Sequence, residues 1–228
     1  MNNINWTMAG SLTVAIAAIG IFPVSPAGLA QTSTQPVSVY ELISEFFGGS
    51  AHGGRGKDSS SRGDDPLCLI NPGTDEMVWT LQPMIVVHGN VETIGLRPID
   101  LDDEFDSVHM AYGGEPLEPG ESYEWIVYQR DLYGKLVEDL KVPFQVMAAG
   151  DGRDRITTEL EQLQAVAEAD QLSIDEAIQA QIDFLLAEGL AADAIQVLFS
   201  PEAAGETLEA DRQALIAEIC PEPEPEPE

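Results

Sequence analysis

Basic residues are scarce in this sequence of 228 residues, which has 10 Lys and Arg against 40 Asp and Glu and a formal net charge of −30. Proteins hold nucleic-acid phosphates with clustered Lys and Arg, so we expect no nucleic-acid partner. An anionic membrane surface also attracts basic segments, and this composition disfavours binding to one. Because the acidic residues occur throughout the chain, they are typical of a solvated surface rather than of one recognition patch.

Histidine and cysteine are also rare, with three His and two Cys. Two cysteines exclude a disulfide-rich miniprotein, and so few imidazoles and thiols offer little to a transition-metal centre. The hydrolase motifs G-x-S-x-G and H-E-x-x-H are both absent from the sequence. We therefore predict a protein that is not an enzyme and has no cofactor, with a secreted hydrolase assembled from distant residues as an alternative.

The first thirty residues have the pattern of a secretory signal peptide. Met8–Phe22 is a run of apolar and small residues that is shorter than the about 20 residues of a membrane span. Gly28-Leu29-Ala30 places small residues before a cleavage site at Gln31. We expect a signal peptide at 1–30, no stable membrane insertion after its cleavage, and a periplasmic or extracellular protein. Met1–Thr7 has no Lys or Arg, so the segment before the apolar run is weak for a signal peptide. Given the length of the apolar run, an uncleaved anchor is the alternative.

Residues 31–65 predict a short amphipathic helix and a Gly/Ser-rich linker. Ser38 and Glu41 have the spacing of a capping box, and Gly48 and Gly49 end the helix. The apolar face of this helix either packs on its own domain or docks on a partner. Gly48–Asp65 has the composition of a flexible linker.

Residues 66–149 have a period of two and recurrent turn signals, which predict short strands in a small antiparallel sandwich, with Pro98 and Pro143 at strand starts or edges. The predicted strands are Cys68–Ile70, Met77–Thr80, Met84–His88, Thr93–Arg97, Ser107–Tyr112, Ser122–Gln129 and Val142–Met147.

Residues 150–220 change to a helical period, with a second capping-box spacing at Ser173 and Glu176 and a helix end at Gly189. Ile156, Leu160, Leu163 and Val166 form one apolar stripe of the first of these helices. We expect a helical hairpin domain here, followed by an extended, disordered Pro-Glu tail at 221–228.

Three local patterns resemble known families. Leu117-x-Pro119-Gly120-x-x-Tyr123 resembles the tyrosine corner of fibronectin type III and related immunoglobulin-like domains. Leu185, Gly189, Ala194 and Leu198 resemble the helical hairpin of one tetratricopeptide repeat. Leu117–Trp125 and Leu186–Ala194, together with Leu67-Cys68-Leu69, are similar to a family of exported cyanobacterial proteins of unknown function.

These resemblances imply architecture and export, and they supply no activity. Together with the strand and helix patterns, they predict an α+β fold. The expected arrangement is a small antiparallel immunoglobulin-like β-sandwich followed by a C-terminal bundle of three to four short helices.

Cys68 and Cys220 bracket the predicted domains. In an oxidising compartment two such cysteines are expected to form a disulfide. The alternative is a pair of buried free thiols, because sequence alone does not establish the required geometry.

One acidic cluster is a candidate calcium site. Alternating carboxylates around a turn supply the oxygen ligands that Ca²⁺ prefers. The cluster departs from an EF-hand, which requires Gly where Phe105 stands and Glu where Ala111 stands. A solvated acidic hairpin is the alternative. The candidate ligands are Asp100, Asp102, Asp103, Glu104 and Asp106.

The sequence as a whole therefore predicts a non-catalytic exported protein, a protein-interaction or envelope-structural module with a protein partner. A calcium-dependent binding or adhesion protein is the second hypothesis, and a cryptic hydrolase is the third.

Overall fold

Helices and short strands make up the computed structural model, which describes residues 38–47, 67–99 and 114–221. All of these residues belong to one compact unit, Val37–Glu228. The helices are α1 (Val39–Phe47), α2 (Asp151–Ala169), α3 (Ile174–Ala187), α4 (Ala191–Leu198) and α5 (Glu206–Ile219). The strands are β1 (Cys68–Asn71), β2 (Glu76–Val78), β3 (Val86–His88), β4 (Thr93–Pro98), β5 (Ser122–Arg130) and β6 (Leu136–Val146). The predicted α+β class is confirmed.

Several predicted features lie outside the described residues and stay predictions. They are the signal peptide 1–30, the linker Gly48–Asp65, the acidic cluster, the strand Ser107–Tyr112 and the tail beyond Pro221.

The described strands form two sheets. One has four strands in the order β2-β6-β5-β4, and the other is the antiparallel pair β1-β3. The β4–β5 and β5–β6 pairs are antiparallel as predicted, whereas β2 runs parallel to β6. The prediction of a wholly antiparallel arrangement is wrong at this edge. Glu76 of β2 pairs with Phe144, and short-range periodicity carries no information about so distant a partner.

Strand β6 begins at Leu136 rather than at Val142, and it carries Pro143 in its interior. The N–H of Val146 donates to the carbonyl of Glu121, so the nitrogen of Pro143 faces the edge away from β5. Strand β2 joins that edge only from Phe144 onward. Pro143 therefore removes no ladder hydrogen bond, which is why an interior position accepts it.

The four-stranded sheet has its own core, built on the alternation that the sequence predicted for β5. Tyr123, Trp125 and Val127 are all buried there. The ring of Phe144 in β6 lies 6.0 Å from the ring of Tyr123 and 6.1 Å from that of Trp125, measured between centroids. Contacts of this kind across β5 and β6 stabilise the pair through burial of aromatic surface.

A second core joins the helices to β1. Val39 and Ile43 of α1 are buried in it. The predicted capping box of α1 is present, with the Glu41 N–H donating to the Ser38 hydroxyl and the Ser38 N–H donating to the Glu41 carboxylate, both at 3.1 Å. The carboxylate of Asp211 in α5 also accepts the Val39 N–H at 3.2 Å. Helix α1 therefore packs on its own unit.

The hydroxyl of Tyr123 ties the start of β5 to the loop before it, since it accepts the N–H of Glu118 at 3.1 Å. We expect Tyr123→Phe to lower the free energy of unfolding by about 1 kcal/mol, because it leaves that N–H without its acceptor. Denaturant unfolding measures this. Tyr133→Phe is the matched control, since its hydroxyl belongs to a side chain that is 94% exposed. Equal losses in the two variants would contradict the assignment.

Candidate functional site

The sequence-predicted site residues have two different outcomes. Cys68 and Cys220 form a disulfide with Cα atoms 5.8 Å apart, which confirms the predicted pair. The candidate calcium ligands Asp100, Asp102, Asp103, Glu104 and Asp106 lie outside the described residues, so the calcium site stays a prediction. Across residues 38–47, 67–99 and 114–221, no group of three or more His, Cys, Asp and Glu is placed to hold a metal ion.

Helix α4 is the junction between the sheet and the helices, and no local pattern in the sequence indicates the side chains that make it. The carboxylate of Asp193 accepts the N–H groups of Trp79 and Thr80, directly after β2, at 2.7 and 2.8 Å. One turn further, the amide of Gln196 accepts the Met84 N–H at 2.9 Å and donates to the Gln82 carbonyl at 3.1 Å. Two side chains of α4 thus replace a missing strand partner for the segment 79–84.

Asp193 is a buried carboxyl, only 4% exposed. Burial raises the pKa of Asp193 to about 6, although the N–H groups of Trp79 and Thr80 and the charge of Arg153 oppose that rise. The guanidinium of Arg153 lies 5.7 Å from the ring centroid of Trp79 and donates to the Met147 carbonyl at 3.1 Å. Desolvation by burial lowers the pKa of this guanidinium. The junction therefore holds the opposite charges of Asp193 and Arg153 close together at a site from which water is partly excluded.

A groove runs beside this junction along α2, α3 and α4, and we call it the helical groove. Its outer part has a volume of about 590 Å³ and its inner part about 340 Å³. The two parts share Gln164, Gln181, Gln196 and Val197, which makes them continuous. The inner part reaches Trp79 and Asp193. Volumes of this size accommodate several side chains of a ligand.

The lining of the helical groove combines apolar side chains, amides and carboxylates. Ile178 and Leu185 are buried there, while Ile174 is 62% exposed. The amides are Gln164, Gln171, Gln181 and Gln196. The charged lining residues are Glu161, Glu168, Asp193 and Glu202, so every charge in the lining is negative.

The turn between α2 and α3 forms the outer end of the groove. Gln171 adopts a left-handed conformation, with φ of 54°, and the Leu172 N–H closes the end of α2 on the Ala167 carbonyl at 3.0 Å. Ser173 and Glu176 then make the predicted capping box of α3. This tight connection leaves Leu172 and Ile174 on the surface.

Trp79 contributes a further polar group. Its indole Nε1 is buried and has no hydrogen-bond partner among the described residues. Such a donor is uncommon in folded proteins and costs stability where it occurs. Trp79 lines the inner part of the helical groove.

The β5–β6 hairpin carries a second unusual surface at its tip. Leu132 is 91% exposed and the neighbouring Tyr133 is 94% exposed. Their turn is fixed by Asp131, whose carboxylate accepts the N–H groups of Tyr133 and Lys135, both at 2.9 Å. The pair Tyr133-Gly134 is a turn signal in the sequence, but no local pattern indicates that the tip is apolar and exposed.

The apolar stripe predicted for α2 is correct only in its first half. Ile156 is buried and packs in the helical core, whereas Val166 is exposed. The last turns of α2 lie beside the first turns of α3 along the helical groove, where Val166 is left uncovered. The exposed part of the stripe is the sequence signal that could have indicated an open surface here.

No helix within the described ranges combines the length and apolar character of a membrane span. Comparison of the chain with protein-family models, with curated proteins and with solved structures found no match.

Proposed function

We propose that this protein is a non-catalytic exported interaction module that binds a segment of another polypeptide in the helical groove. The observation that carries the proposal is the lining of this groove, where the exposed apolar side chains of Leu172 and Ile174 share the surface with the amides of Gln164 and Gln181. Apolar surface holds side chains of a ligand, and an amide both donates to and accepts from a peptide backbone.

The disulfide supports export. Cys68 and Cys220 are joined across most of the described chain, and such bonds form and persist in oxidising compartments. A periplasmic or extracellular location is therefore part of the proposal.

We also infer an immunoglobulin-like sandwich for the strands. Its support is the hydrogen bond from the Glu118 N–H to the Tyr123 hydroxyl, which joins the residues expected of a tyrosine corner. In this proposal the sandwich is a scaffold, and α4 attaches the binding helices to it through Asp193 and Gln196.

Photo-crosslinking tests the binding proposal. A photoreactive amino acid at position 164, in the groove, is compared with the same amino acid at position 162, which is exposed on the same helix outside the groove. We expect the full chain in its native cells to give a defined crosslinked polypeptide from position 164 only. Equal crosslinking at both positions, or none at 164, would contradict the proposal.

A chelator distinguishes the alternative. If the crosslink from position 164 persists in a calcium chelator, binding does not require the acidic cluster. If it is lost, the calcium-dependent hypothesis replaces ours, because a site that needs Ca²⁺ must lose occupancy when the ion is removed.

A further inference from the structure

Two of the carboxylates that line the helical groove have their charge partly offset by the protein itself. The carboxylate of Asp193 accepts two backbone N–H groups and is stabilised by the charge of Arg153. Glu202 stands next to Ala203, whose carbonyl accepts from the guanidinium of Arg212 at 2.8 Å. These two carboxylates are therefore poor partners for a cation of a ligand.

The other two carboxylates of the lining, Glu161 and Glu168 on α2, are not offset in this way. Both side chains are exposed, and neither forms an ion pair with a residue that the structure describes. Arg155, the basic residue nearest to them along α2, donates instead to Glu188 at 2.9 Å. The Glu168 carboxylate accepts the amide of Gln164, another side chain of the lining, at 3.3 Å. The groove therefore presents two negative charges to a ligand.

These two carboxylates are seven residues apart on one helix. Seven residues advance an α-helix by roughly 10 Å and return to nearly the same face. Glu161 lines the inner part of the groove and Glu168 lines the outer part. A segment that pairs with both therefore carries two cations about 10 Å apart, which corresponds to about seven positions in a helix or about three in an extended chain.

Apolar side chains lie exposed beside the outer carboxylate. Leu172 is 40% exposed and Ile174 is 62% exposed, and both line the outer part of the groove together with Glu168. Covering such side chains with the apolar surface of a partner removes them from water, which is favourable. The matching segment is therefore amphipathic, with apolar side chains next to its Lys or Arg residues.

We propose that the helical groove binds a basic, amphipathic segment of its partner polypeptide. Lys or Arg side chains of the segment pair with Glu161 and Glu168, while its apolar side chains cover Leu172 and Ile174. The inference rests on the proposed function of the groove and names the chemistry of the ligand. Opposite charge gives specificity to a contact whose core is apolar. Exposed ion pairs contribute little each, so the two together are expected to change the affinity about fivefold.

Selection from a display library of short random peptides tests the inference. The full chain is the target, and the selected peptides are synthesised and titrated at physiological salt. We expect these peptides to be rich in Lys and Arg next to apolar residues. Their affinity for the variant Glu161→Gln with Glu168→Gln is expected to be about fivefold lower than for the wild-type chain. Added salt is expected to reduce this difference, because it screens exposed ion pairs.

The control variant removes the same charge elsewhere. Glu118→Gln with Glu121→Gln alters two exposed carboxylates in the loop before β5, outside the groove lining. We expect this control to bind the peptides as the wild-type chain does, and an unchanged unfolding curve verifies that each variant is folded. An equal loss of affinity in both double variants would overturn the inference, because the peptides would then respond to the net charge of −30 rather than to the groove.

Ile174→Ser separates this inference from the proposed function, since it removes an exposed apolar side chain of the groove and no charge. If the selected peptides have no Lys or Arg, or lose affinity for Ile174→Ser but not for Glu161→Gln with Glu168→Gln, the inference fails and the proposed function stands. If Ile174→Ser binds them as the wild-type chain does, the peptides do not occupy the groove, and both fail.

The segment that crosslinks to position 164 supplies a second measurement. We expect the crosslinked segment of the partner to carry Lys or Arg beside apolar residues, and a segment without them would overturn the inference alone. The linker Gly48–Asp65 of this chain also has basic residues, Arg55, Lys57 and Arg62. A crosslink from position 164 to this linker would identify it as the occupant and would overturn both proposals.

Discussion

Replacing both cysteines, Cys68→Ala with Cys220→Ala, is expected to lower the free energy of unfolding by about 4–5 kcal/mol. The disulfide joins residues separated by 152 positions, and so long a loop removes much entropy from the unfolded chain in the chain-entropy model. The bond also attaches β1 to the end of α5, where both sulfurs are buried. Denaturant unfolding of the oxidised chain and the double variant measures the difference.

A reductant supplies the control for this prediction. The wild-type chain is expected to lose stability when reduced, and the double variant is expected to be insensitive to the same reductant. A loss below about 1 kcal/mol in the double variant would contradict the chain-entropy account for this protein.

The second large effect is expected at the α4 junction, where Asp193→Ala leaves the N–H groups of Trp79 and Thr80 without their acceptor. Each buried donor that loses its partner costs about 1–3 kcal/mol. The variant no longer has to bury a carboxylate, which offsets part of this loss, so we expect the free energy of unfolding to fall by about 3 kcal/mol in total. Gln196→Ala removes the two hydrogen bonds that hold Met84 and Gln82 and is the matched variant of the same junction.

The same carboxyl makes stability depend on pH. Burial raises the pKa of Asp193 to about 6 in the folded chain, against an ordinary value of 3.8. Between these values the folded chain keeps a proton that the unfolded chain has released. The contribution of this proton to the free energy of unfolding is therefore fully present below about pH 4 and is lost as the pH rises through about 6. The free energy of unfolding changes by on the order of 3 kcal/mol between these limits.

Asp193→Asn isolates this dependence from that of other carboxyls, such as Asp211 and Asp183, whose pKa values burial also raises. We expect the stability of the wild-type chain, relative to Asp193→Asn, to fall between about pH 4 and pH 7. Relative to Gln196→Ala, which keeps Asp193, the stability of the wild-type chain is expected to stay constant over this range, because the same carboxyl titrates in both chains. A constant difference between wild type and Asp193→Asn over this range would show that Asp193 does not titrate there.

The helix ends were readable from the sequence because their signals are local. The capping boxes at Ser38 and Ser173 form as the spacing predicted. Gly189 adopts φ of 75°, and the Leu190 N–H closes the end of α3 on the Leu185 carbonyl at 2.8 Å. A side chain that bonds a backbone group three residues away needs no information from elsewhere in the chain.

The position of a strand could be predicted from the sequence where one of its faces is buried, as in β5. It was less predictable where pairing with a neighbouring strand sets the strand's length or direction. Strand β6 extends to Leu136 because β5 offers it a matching partner as far as Arg130. The parallel pairing of β2 has the same origin. Register and direction depend on the whole sheet, so a short pattern does not determine them.

The sequence by itself determined the α+β class and the capped ends of α1 and α3, and it made a disulfide the expected state of its two cysteines. The tertiary structure decided that pairing, because it brings the Cα atoms of Cys68 and Cys220 to 5.8 Å. Only the tertiary structure decided the use of Asp193 and Gln196, which are polar residues one helical turn apart but which meet backbone groups more than a hundred positions earlier. It also decided that Gln164, Gln181 and Gln196, on three different helices, line one groove. Capping and periodicity act over a few residues, whereas a site made from separate elements exists only once packing has brought them together.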